Sequence, residues 1–365
     1  IFPASDTPGF LIAVPAWRQH HRGDLPLSEL VELHRVVADG YHNAFTDLTR
    51  WRGHTYLCYR AAQSHAIEPP GDVIVCRSDD LSAWNQVARF DTGADDRDPK
   101  FVVDGDDRLA VTFGSWYPRW RSAHSLANAE HDLITHVSAT RDGTCWSTPR
   151  QLYGVNYWMW RIFRDADGVF WCPAYHFARR DDRDMRTVHL LRSDDLFDWR
   201  LIGPMRAGGG PGEPVLFAPE PGRLACVART LEPANHSWIG TCQDVAGDWT
   251  WHDLGVMIHA PVVLEHEGRW LVAGRAQEED LPAGSFTSYR EQGDPNGHHT
   301  SVWELDGTEA RHLLTVPSGH DCSYCGLVSG TDGTVWMSYY SQHERLPLPA
   351  QRPTPADVFV ARLRP

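Results

Sequence analysis

One pattern occurs three times along the chain: SDDLSAW at 78–84, TRDGTCW at 140–146 and SDDLFDW at 193–199. In each copy, an Asp follows a Ser or Thr by two residues, and a Trp follows that Asp by four. Short polar side chains of this kind bond nearby backbone N–H groups and favour tight turns. Each copy also follows a short apolar run typical of a strand, such as Val73–Cys76. The pattern therefore predicts a turn that recurs between short β-strands.

The same arrangement of strands extends over the rest of the chain. A turn glycine joins two strand-like runs six times, at an average spacing of about 56 residues, and further short runs follow in each unit. These glycines are Gly53, Gly105, Gly168, Gly222, Gly268 and Gly333. Four short strands repeated six times predict an all-β fold, a six-bladed β-propeller of four-stranded antiparallel blades.

Closure of the ring is predicted to use both ends of the chain. The last repeat ends at its third strand, with Arg364 and Pro365, and so lacks a fourth strand. The run Leu30–Val37 is predicted to supply it and to protect the sheet edges, although a short helix is the alternative for this run. We therefore expect an N-terminal extension over residues 1–29, as an extra strand or a lid, and one propeller over residues 30–365.

Composition disfavours several classes of protein. The chain has 365 residues, 42% hydrophobic and 22% charged, as in a globular protein with a large core. Its net charge of −14 disfavours nucleic-acid binding, and no apolar run reaches the about 18–20 residues of a membrane span. Most of the eight cysteines lie in apolar runs, and the one CxxC (Cys322 to Cys325) lacks a second pair for a zinc site. We expect buried thiols, no metal, no cofactor, a monomer, and a cytoplasmic or secreted location.

A propeller brings the ends of its inner strands to a central axis. The starts of the innermost strands are predicted at Asp47, Asp98, Arg161, Glu213, Pro261 and Tyr324. The adjoining strands are predicted to end at Arg60, Gly114, His176, Arg229, Arg275 and Tyr340. So many charges are costly to bring together unless they serve a function. Among the sixteen tryptophans, those expected to wall this site and contact a sugar are Trp116, Trp120, Trp158 and Trp160.

The recurrent turn resembles the Asp-box of the sialidase (BNR-repeat) superfamily, and HNAFTDL at 42–48 resembles the opening of bacterial sialidase-like proteins. Glu213 and Arg229 have the spacing of a sialidase Glu and Arg, and SYCGL at 323–327 resembles the segment with the sialidase tyrosine. The resemblance implies an exo-glycosidase that retains anomeric configuration. In it Tyr324 is the nucleophile, Glu213 is its base, and Asp98 or Asp47 is the acid/base.

The resemblance also implies a carboxylate clamp of three arginines, and the sequence departs from it at one of them. Sialidases carry the first arginine in an Arg-Ile-Pro motif, where this chain reads FTDL at 45–48. Arg60 on the next strand is expected to replace it beside Arg229 and Arg275, because a guanidinium binds a carboxylate bidentately. The other predicted substrate-binding residues are Arg161, His176, His65 and Trp160. The expected substrate is a glycoside of sialic acid or of another acidic sugar.

Three other functions remain open from the sequence. A glycosidase could use carboxylates alone, namely Asp47, Asp98 and Glu213. A polysaccharide lyase acting on a uronate could use a base chosen from Tyr324, His176, His65 and His320. A non-catalytic propeller could bind carbohydrate through the tryptophans.

Overall fold

The computed structural model describes residues 10–11, 28–105, 107–117, 133–176, 186–220, 222–232, 234–242 and 247–365. Strands β1 (Phe10–Leu11) and β2 (Glu29–Val37) precede the first blade. The helical residues within the described ranges form three short 3-10 turns: Glu278–Asp280, Arg290–Gln292 and His343–Arg345.

Six antiparallel sheets form the blades of a β-propeller, as the repeats predicted. Blade 1 contains β3 (His42–Trp51), β4 (His54–Ala62), β5 (Asp72–Ser78) and β6 (Asn85–Phe90). Blade 2 contains β7 (Asp95–Asp104), β8 (Arg108–Trp116), β9 (Leu133–Thr140) and β10 (Arg150–Gln151). Blade 3 contains β11 (Tyr157–Met159), β12 (Phe163–Arg164), β13 (Phe170–His176), β14 (Thr187–Ser193) and β15 (Trp199–Ala207).

The second half of the chain repeats this plan. Blade 4 contains β16 (Gly212–Glu220), β17 (Arg223–Arg229), β18 (Ser237–Cys242) and β19 (Thr250–Asp253). Blade 5 contains β20 (His259–His266), β21 (Arg269–Gln277), β22 (His298–Asp306) and β23 (Glu309–Val316). Blade 6 contains β24 (Cys322–Ser329), β25 (Val335–Ser341), β26 (Asp357–Arg364) and then β2.

The ring closes through the N-terminal strand. β2 pairs antiparallel with β26, with Leu33 opposite Ala361, so the first described long strand completes the last blade. The predicted closure by Leu30–Val37 is confirmed, and the helical alternative for that run is wrong. β1 pairs with the outer edge of β2, and most of the predicted extension 1–29 lies outside the described residues.

Five of the six innermost strands carry a β-bulge where they reach the axis. The first bulged residue has a positive φ in each: Phe45 (59°), Asp98 (54°), Glu213 (49°), Ala260 (51°) and Tyr324 (52°). The strand pairing shifts register at the same five places. A left-handed backbone is uncommon for residues other than glycine, and such bulges re-aim side chains next to functional sites. The innermost strand of blade 3 is instead interrupted between β11 and β12.

Apolar side chains pack between neighbouring blades. Between blades 1 and 2, for example, Tyr56 and Val75 share one buried cluster with Val111 and Phe113. Full burial of each such side chain stabilises the fold by about 1.5–3 kcal/mol, so the interfaces hold the inner strands in place.

The three repeated turns share one hydrogen-bond arrangement. Asp80 Oδ1 accepts the backbone N–H groups of Ser82 and Ala83, both at 2.9 Å. Asp142 and Asp195 accept the equivalent pairs of N–H groups at 2.7–2.8 Å. The sequence pattern therefore encodes the turn directly, because the carboxylate satisfies N–H groups that no strand partner reaches.

The cysteines are all free thiols. Seven are buried and Cys145 is exposed. Burial raises the pKa of Cys322 and of Cys325 to about 12, so both keep their protons and pack as small apolar side chains. No helix in the described part of the chain is long and apolar enough to span a membrane.

Candidate active site

Two of the bulges bring a phenol and a carboxylate together at the axis. The Tyr324 hydroxyl donates to Glu213 Oε1 at 2.9 Å, and Arg229 Nη1 donates to the same oxygen at 2.7 Å. The backbone N–H of Ala260 donates to Oε2 at 2.7 Å. Burial opposes ionisation of Glu213, but Arg229 and the Tyr324 hydroxyl outweigh it and lower the pKa of Glu213 to about 2. The carboxylate is therefore ionised at neutral pH and oriented to accept the phenol proton.

Tyr324 holds its proton firmly in the resting site. Burial, followed by the negative charges of Glu213 and Asp98, raises its pKa well above the usual value. A neutral phenol does not repel an anionic ligand, and it becomes a nucleophile only when a base takes its proton.

A third bulge carries Asp98, a carboxyl group whose pKa is raised, in contrast to that of Glu213. Asp98 is 6% exposed, and no described residue bonds its buried Oδ1. Burial, helped by the charge of Glu213, raises the pKa of Asp98 to about 6, although Lys100 and Arg97 oppose the rise. The site thus holds two carboxyl groups with pKa values far apart, one ionised and one able to give or take a proton near neutral pH.

Two arginines from blades 4 and 5 face the phenol. The Arg275 guanidinium lies 5.3 Å from the centre of the Tyr324 ring. Its Nη2 donates to Asp321 Oδ1 at 2.9 Å and to the Tyr340 hydroxyl at 3.0 Å, while Nε and Nη2 both donate to the Cys322 carbonyl. Arg229 is 22% exposed along its side chain and uses one nitrogen for Glu213. Both predicted clamp residues therefore lie at the axis, and each has donors left for a ligand.

Arg60 packs beside the site, with its guanidinium carbon 5.8 Å from the centre of the Phe45 ring, but its nitrogens are bonded to other groups of the protein. Its side chain is fully buried, and Nε donates to Asp95 Oδ1 at 2.9 Å while Nη1 and Nη2 donate to the carbonyls of Ser64 and Ala66, each at 2.8 Å. Nη2 also contacts Asp95. Each nitrogen of the guanidinium therefore has a partner in the protein. Arg60 has no unbonded nitrogen with which to replace the first arginine of the clamp. Its neighbour is Arg97, which the sequence analysis did not assign and which donates to Asp95 Oδ2 at 2.5 Å.

Asp47 and Arg161 bond each other and backbone groups, and neither has a hydrogen bond to Tyr324, Glu213 or Asp98 among the described contacts. Asp47 Oδ1 accepts from Arg161 Nη1 at 2.9 Å, and Oδ2 accepts the Phe101 N–H at 2.8 Å. Arg161 Nη2 also donates to the Cys325 carbonyl at 2.6 Å. From the sequence, Asp47 was expected at the position that Asp98 and Glu213 occupy in their strands. In blade 1 that position, the first residue of the bulge, is Phe45, and Asp47 follows it by two residues. The nearly fully buried Lys100 lies nearby, with its ammonium 5.9 Å from the Tyr324 ring centre.

Aromatic rings wall the phenol. The ring centres of Phe45 and Trp160 lie 4.8 and 5.9 Å from that of Tyr324. Trp160 is 2% exposed, and its indole N–H has no partner among the described residues. Trp158 stacks on Tyr175 at 5.5 Å and completes the wall.

Other predicted contact residues lie farther along blade 3. His176 stacks on Tyr157 with ring centres 4.3 Å apart and has His189 as a further neighbour, so the described contacts connect it to the blade and not to Tyr324. Trp116 packs edge-on against the buried Trp158, and Trp120 lies outside the described residues.

His42, His65 and Asp321 form a cluster at the junction of blades 1 and 6. Asp321 Oδ2 lies 2.9 Å from His42 Nε2 and 2.6 Å from His65 Nδ1. Within the described ranges this is the one group that could hold a metal ion, because its three ligand atoms lie within 4.8 Å of one another. Each oxygen of Asp321 already accepts two hydrogen bonds, so an ion would have to displace the imidazole donors. Of these three residues the sequence predicted only His65, because Asp321 and His65 are 256 positions apart.

Comparison of the sequence with protein-family models and with curated proteins gives no match. Solved structures do match. A protein of unknown function from Dyadobacter fermentans superposes with a TM-score of 0.73 at 17% identity, over 93% of this chain and 99% of that one. A Trypanosoma rangeli sialidase gives 0.61 at 13% identity, over 90% of this chain and 55% of that one, so this chain matches about half of that enzyme. The phage phi92 endosialidase gives 0.59 at 10% identity, over 91% and 68%. At these identities the likeness establishes the fold alone, and the chain has the six-bladed β-propeller fold that it shares with these structures.

Proposed function

We propose that the protein is a retaining exo-glycosidase that hydrolyses the bond to a terminal acidic sugar. Tyr324 is the nucleophile, Glu213 is its base, and Asp98 is the acid/base. The observation that carries the proposal is the hydrogen bond from the Tyr324 hydroxyl to a carboxylate that Arg229 keeps ionised. The same pair is what the resemblance to sialidases implies, and the fold that the chain shares with two sialidases supports it.

In the first step the Tyr324 oxygen attacks the anomeric carbon as its proton passes to Glu213. The bond from that carbon to the aglycone oxygen breaks, and protonated Asp98 gives its proton to the departing oxygen. In the second step water attacks the same carbon, Asp98 takes a proton from the water, and the carbon–Tyr324 bond breaks as Glu213 returns its proton. Two inversions retain the anomeric configuration. A pKa of about 6 suits Asp98 to both roles near neutral pH.

Arg229 and Arg275 bind the carboxylate of the acidic sugar in this proposal. Both flank Tyr324, and both bear a positive charge at any working pH. A substrate carboxylate here would lie between two guanidinium groups. A carboxylate nucleophile would repel this negative charge, whereas the neutral phenol of Tyr324 does not.

The contacts of Asp47 argue against the three-carboxylate alternative. An acid that protonates a leaving group needs a free oxygen at the site, yet both oxygens of Asp47 are bonded and its exposed fraction is 3%. Asp98 is therefore the better acid/base candidate of the two that the sequence left open.

The test is release of the aryl group from aryl glycosides of sialic acid, of its deaminated analogue, of Kdo and of glucuronic acid. We expect release from one acidic sugar, retention of configuration by NMR, and a covalent sugar adduct on Tyr324 by mass spectrometry of quenched protein. Tyr324→Phe should abolish release, whereas Tyr41→Phe, at an exposed tyrosine, should not. An active Tyr324→Phe enzyme would refute the mechanism. An absorbance rise near 235 nm from a uronate polymer would instead identify a lyase.

A further inference from the structure

Two guanidinium groups share one carboxylate on the side of the central site that blades 1 and 2 form. Arg60 donates to Asp95 Oδ1 and Arg97 donates to Asp95 Oδ2, and Asp95 is fully buried. Glu213, by contrast, pairs with the single guanidinium of Arg229. A buried charge without a partner of opposite sign is costly, and a bound anion would supply that partner. We therefore expect the second guanidinium at Asp95 to serve a ligand.

Arg97, and not Arg60, is the member of this pair that a ligand can reach. The Arg60 side chain is fully buried, whereas 11% of the Arg97 side chain is exposed. Arg97 Nε donates to Asp95, and Nη2 donates to the His65 carbonyl at 3.0 Å. No residue that the structure describes bonds Arg97 Nη1. The guanidinium is thus held at two nitrogens and keeps the third for a ligand.

Arg97 also lies beside the proposed nucleophile. It directly precedes Asp98, so the bulge that carries Asp98 to the site carries Arg97 with it. Its guanidinium carbon lies 5.4 Å from the centre of the Phe45 ring, and that ring lies 4.8 Å from the ring of Tyr324. Burial opposes the charge of Arg97, but Asp95 and Asp98 outweigh it and raise the pKa of Arg97. The guanidinium is therefore charged at any working pH.

The other charged groups on β7 do not balance Arg97 when the proposed reaction begins. Asp98 is protonated at that point, and Lys100 adds a second positive charge two residues along the strand. The Lys100 ammonium donates to the carbonyls of Pro99 at 3.0 Å and of Thr46 at 3.4 Å. A negatively charged group of a ligand is therefore attracted to this side of the site, whereas a neutral group is not.

We propose that Arg97 is a substrate-binding residue whose Nη1 donates to the carboxylate of the acidic sugar, together with Arg229 and Arg275. This proposal rests on the proposed function for the acidic sugar as the ligand. Arg97 provides the third cationic contact from blade 2, and Asp95 is a positioning residue that orients its guanidinium. The clamp then selects a carboxylate and does not depend on Arg60.

The experiment measures binding of free sugars by calorimetry, so it does not depend on turnover. The ligands are N-acetylneuraminic acid, its deaminated analogue, Kdo and glucuronic acid, each with its methyl ester as a neutral counterpart. Arg97→Gln removes the charge and keeps a polar side chain. Loss of one charged contact should weaken binding of the acid by about 10–100-fold and binding of the ester by about twofold or less. Arg97→Lys keeps the charge without the planar fork, so it should lose less affinity than Arg97→Gln.

Arg345→Gln is the matched control. Arg345 also donates to a fully buried carboxylate, that of Asp357, through Nε and Nη2 at 2.8 Å, and none of its described contacts involves a residue of the candidate site. This variant should bind acid and ester as the wild type does. In Arg97→Gln, Asp95 keeps the Gly71 N–H at 2.8 Å and its other guanidinium, so we expect that variant to fold. The stoichiometry of each titration measures the folded fraction to which the affinity applies.

The outcomes separate this proposal from the proposed function. If the wild-type protein binds an acidic sugar without cleaving any aryl glycoside, and Arg97→Gln loses that binding but not binding of the ester, the glycosidase mechanism fails and the role of Arg97 stands. If Arg97→Gln binds the acid as tightly as the wild type, or loses acid and ester equally, the role of Arg97 is refuted even in an active enzyme. A wild-type protein that binds none of the four acids more tightly than its ester would overturn the proposal as well.

Discussion

Replacement of Asp98 with Asn should make the folded protein more stable at neutral pH while it lowers activity. Asp98 is buried, none of the residues that the structure describes bonds its Oδ1, and its pKa rises from 3.8 to about 6 on folding. The folded state therefore binds the proton more tightly than the unfolded chain does. The neutral form stabilises the fold at low pH, and this contribution is lost as the pH rises through about 4 to about 6. Asparagine stays neutral at every pH and avoids the loss.

The size of the effect follows from the two pKa values. One pH unit of pKa difference corresponds to about 1.4 kcal/mol, so ionisation of Asp98 costs the fold up to about 3 kcal/mol. Linkage then gives a gain for Asp98→Asn of about 1 kcal/mol at pH 4.5 and about 3 kcal/mol at pH 7.5. A gain that grows between pH 4.5 and pH 7.5 would identify ionisation of Asp98 as the cause, because a change in packing alone would alter stability equally at both pH values.

The assay is urea unfolding of both proteins at pH 4.5 and pH 7.5, compared as differences so that other titrating groups cancel. Asp47→Asn is the control, because it makes the same chemical change at a buried carboxylate that Arg161 already pairs. It should destabilise the protein by about 1–3 kcal/mol at pH 7.5. An Asp98→Asn variant that is less stable than wild type at pH 7.5, or equally altered at both pH values, would refute the reasoning.

Asp98→Asn should also slow cleavage, by an amount that depends on the leaving group. Loss of a general acid costs about 10²–10⁴ in rate when the departing oxygen needs a proton. Asp98→Asn should therefore lose most with alkyl glycosides and least with glycosides of acidic phenols. Equal losses with both would show that Asp98 acts in some other way.

Three further predictions concern neighbouring residues. Tyr324→Phe should lower aryl release by more than about 10³-fold, with a small change in unfolding free energy, because Glu213 keeps its bonds from Arg229 and Ala260. Glu213→Gln should lower kcat by about 10²–10⁴-fold and should also lower stability at neutral pH. The pKa of Glu213 is lowered to about 2, so its ionised form stabilises the fold above about pH 5 and that contribution fades as the pH falls. Arg60→Met should cost about 3–5 kcal/mol of stability and leave the KM of the folded fraction unchanged, whereas a raised KM with full stability would return Arg60 to the clamp.

Short sequence patterns were sufficient to predict the six-bladed architecture. The Asp in each repeated turn bonds the N–H groups that follow it within three residues, so the signal and the structure it forms are adjacent in the chain. The alternation of short strands with turn glycines then determines the number of blades. Closure by Leu30–Val37 could also be predicted, because the last repeat visibly lacks a strand.

The candidate site was predictable where the resemblance reached it. Glu213 and Tyr324 were paired from their motifs although 111 residues separate them, and they form a hydrogen bond. Arg60 and Asp47 were expected to face a substrate there, but other protein groups bond the nitrogens of Arg60 and both oxygens of Asp47. A bulge adds one residue to a strand and changes which side chain faces the axis, so counting along the strand placed Asp47 where Phe45 is.

The sequence by itself thus determined the repeat, the turns, the blade number and the pairing of Tyr324 with Glu213, because each depends on residues close in the chain or on a motif. Only the tertiary structure decided that no described residue bonds Asp98 Oδ1, that Arg60 is bonded to Asp95, and that Asp321 connects His65 to Arg275. These properties depend on burial and on contacts between blades, where desolvation and neighbouring charges set each group's chemistry. No local pattern of residues specifies them.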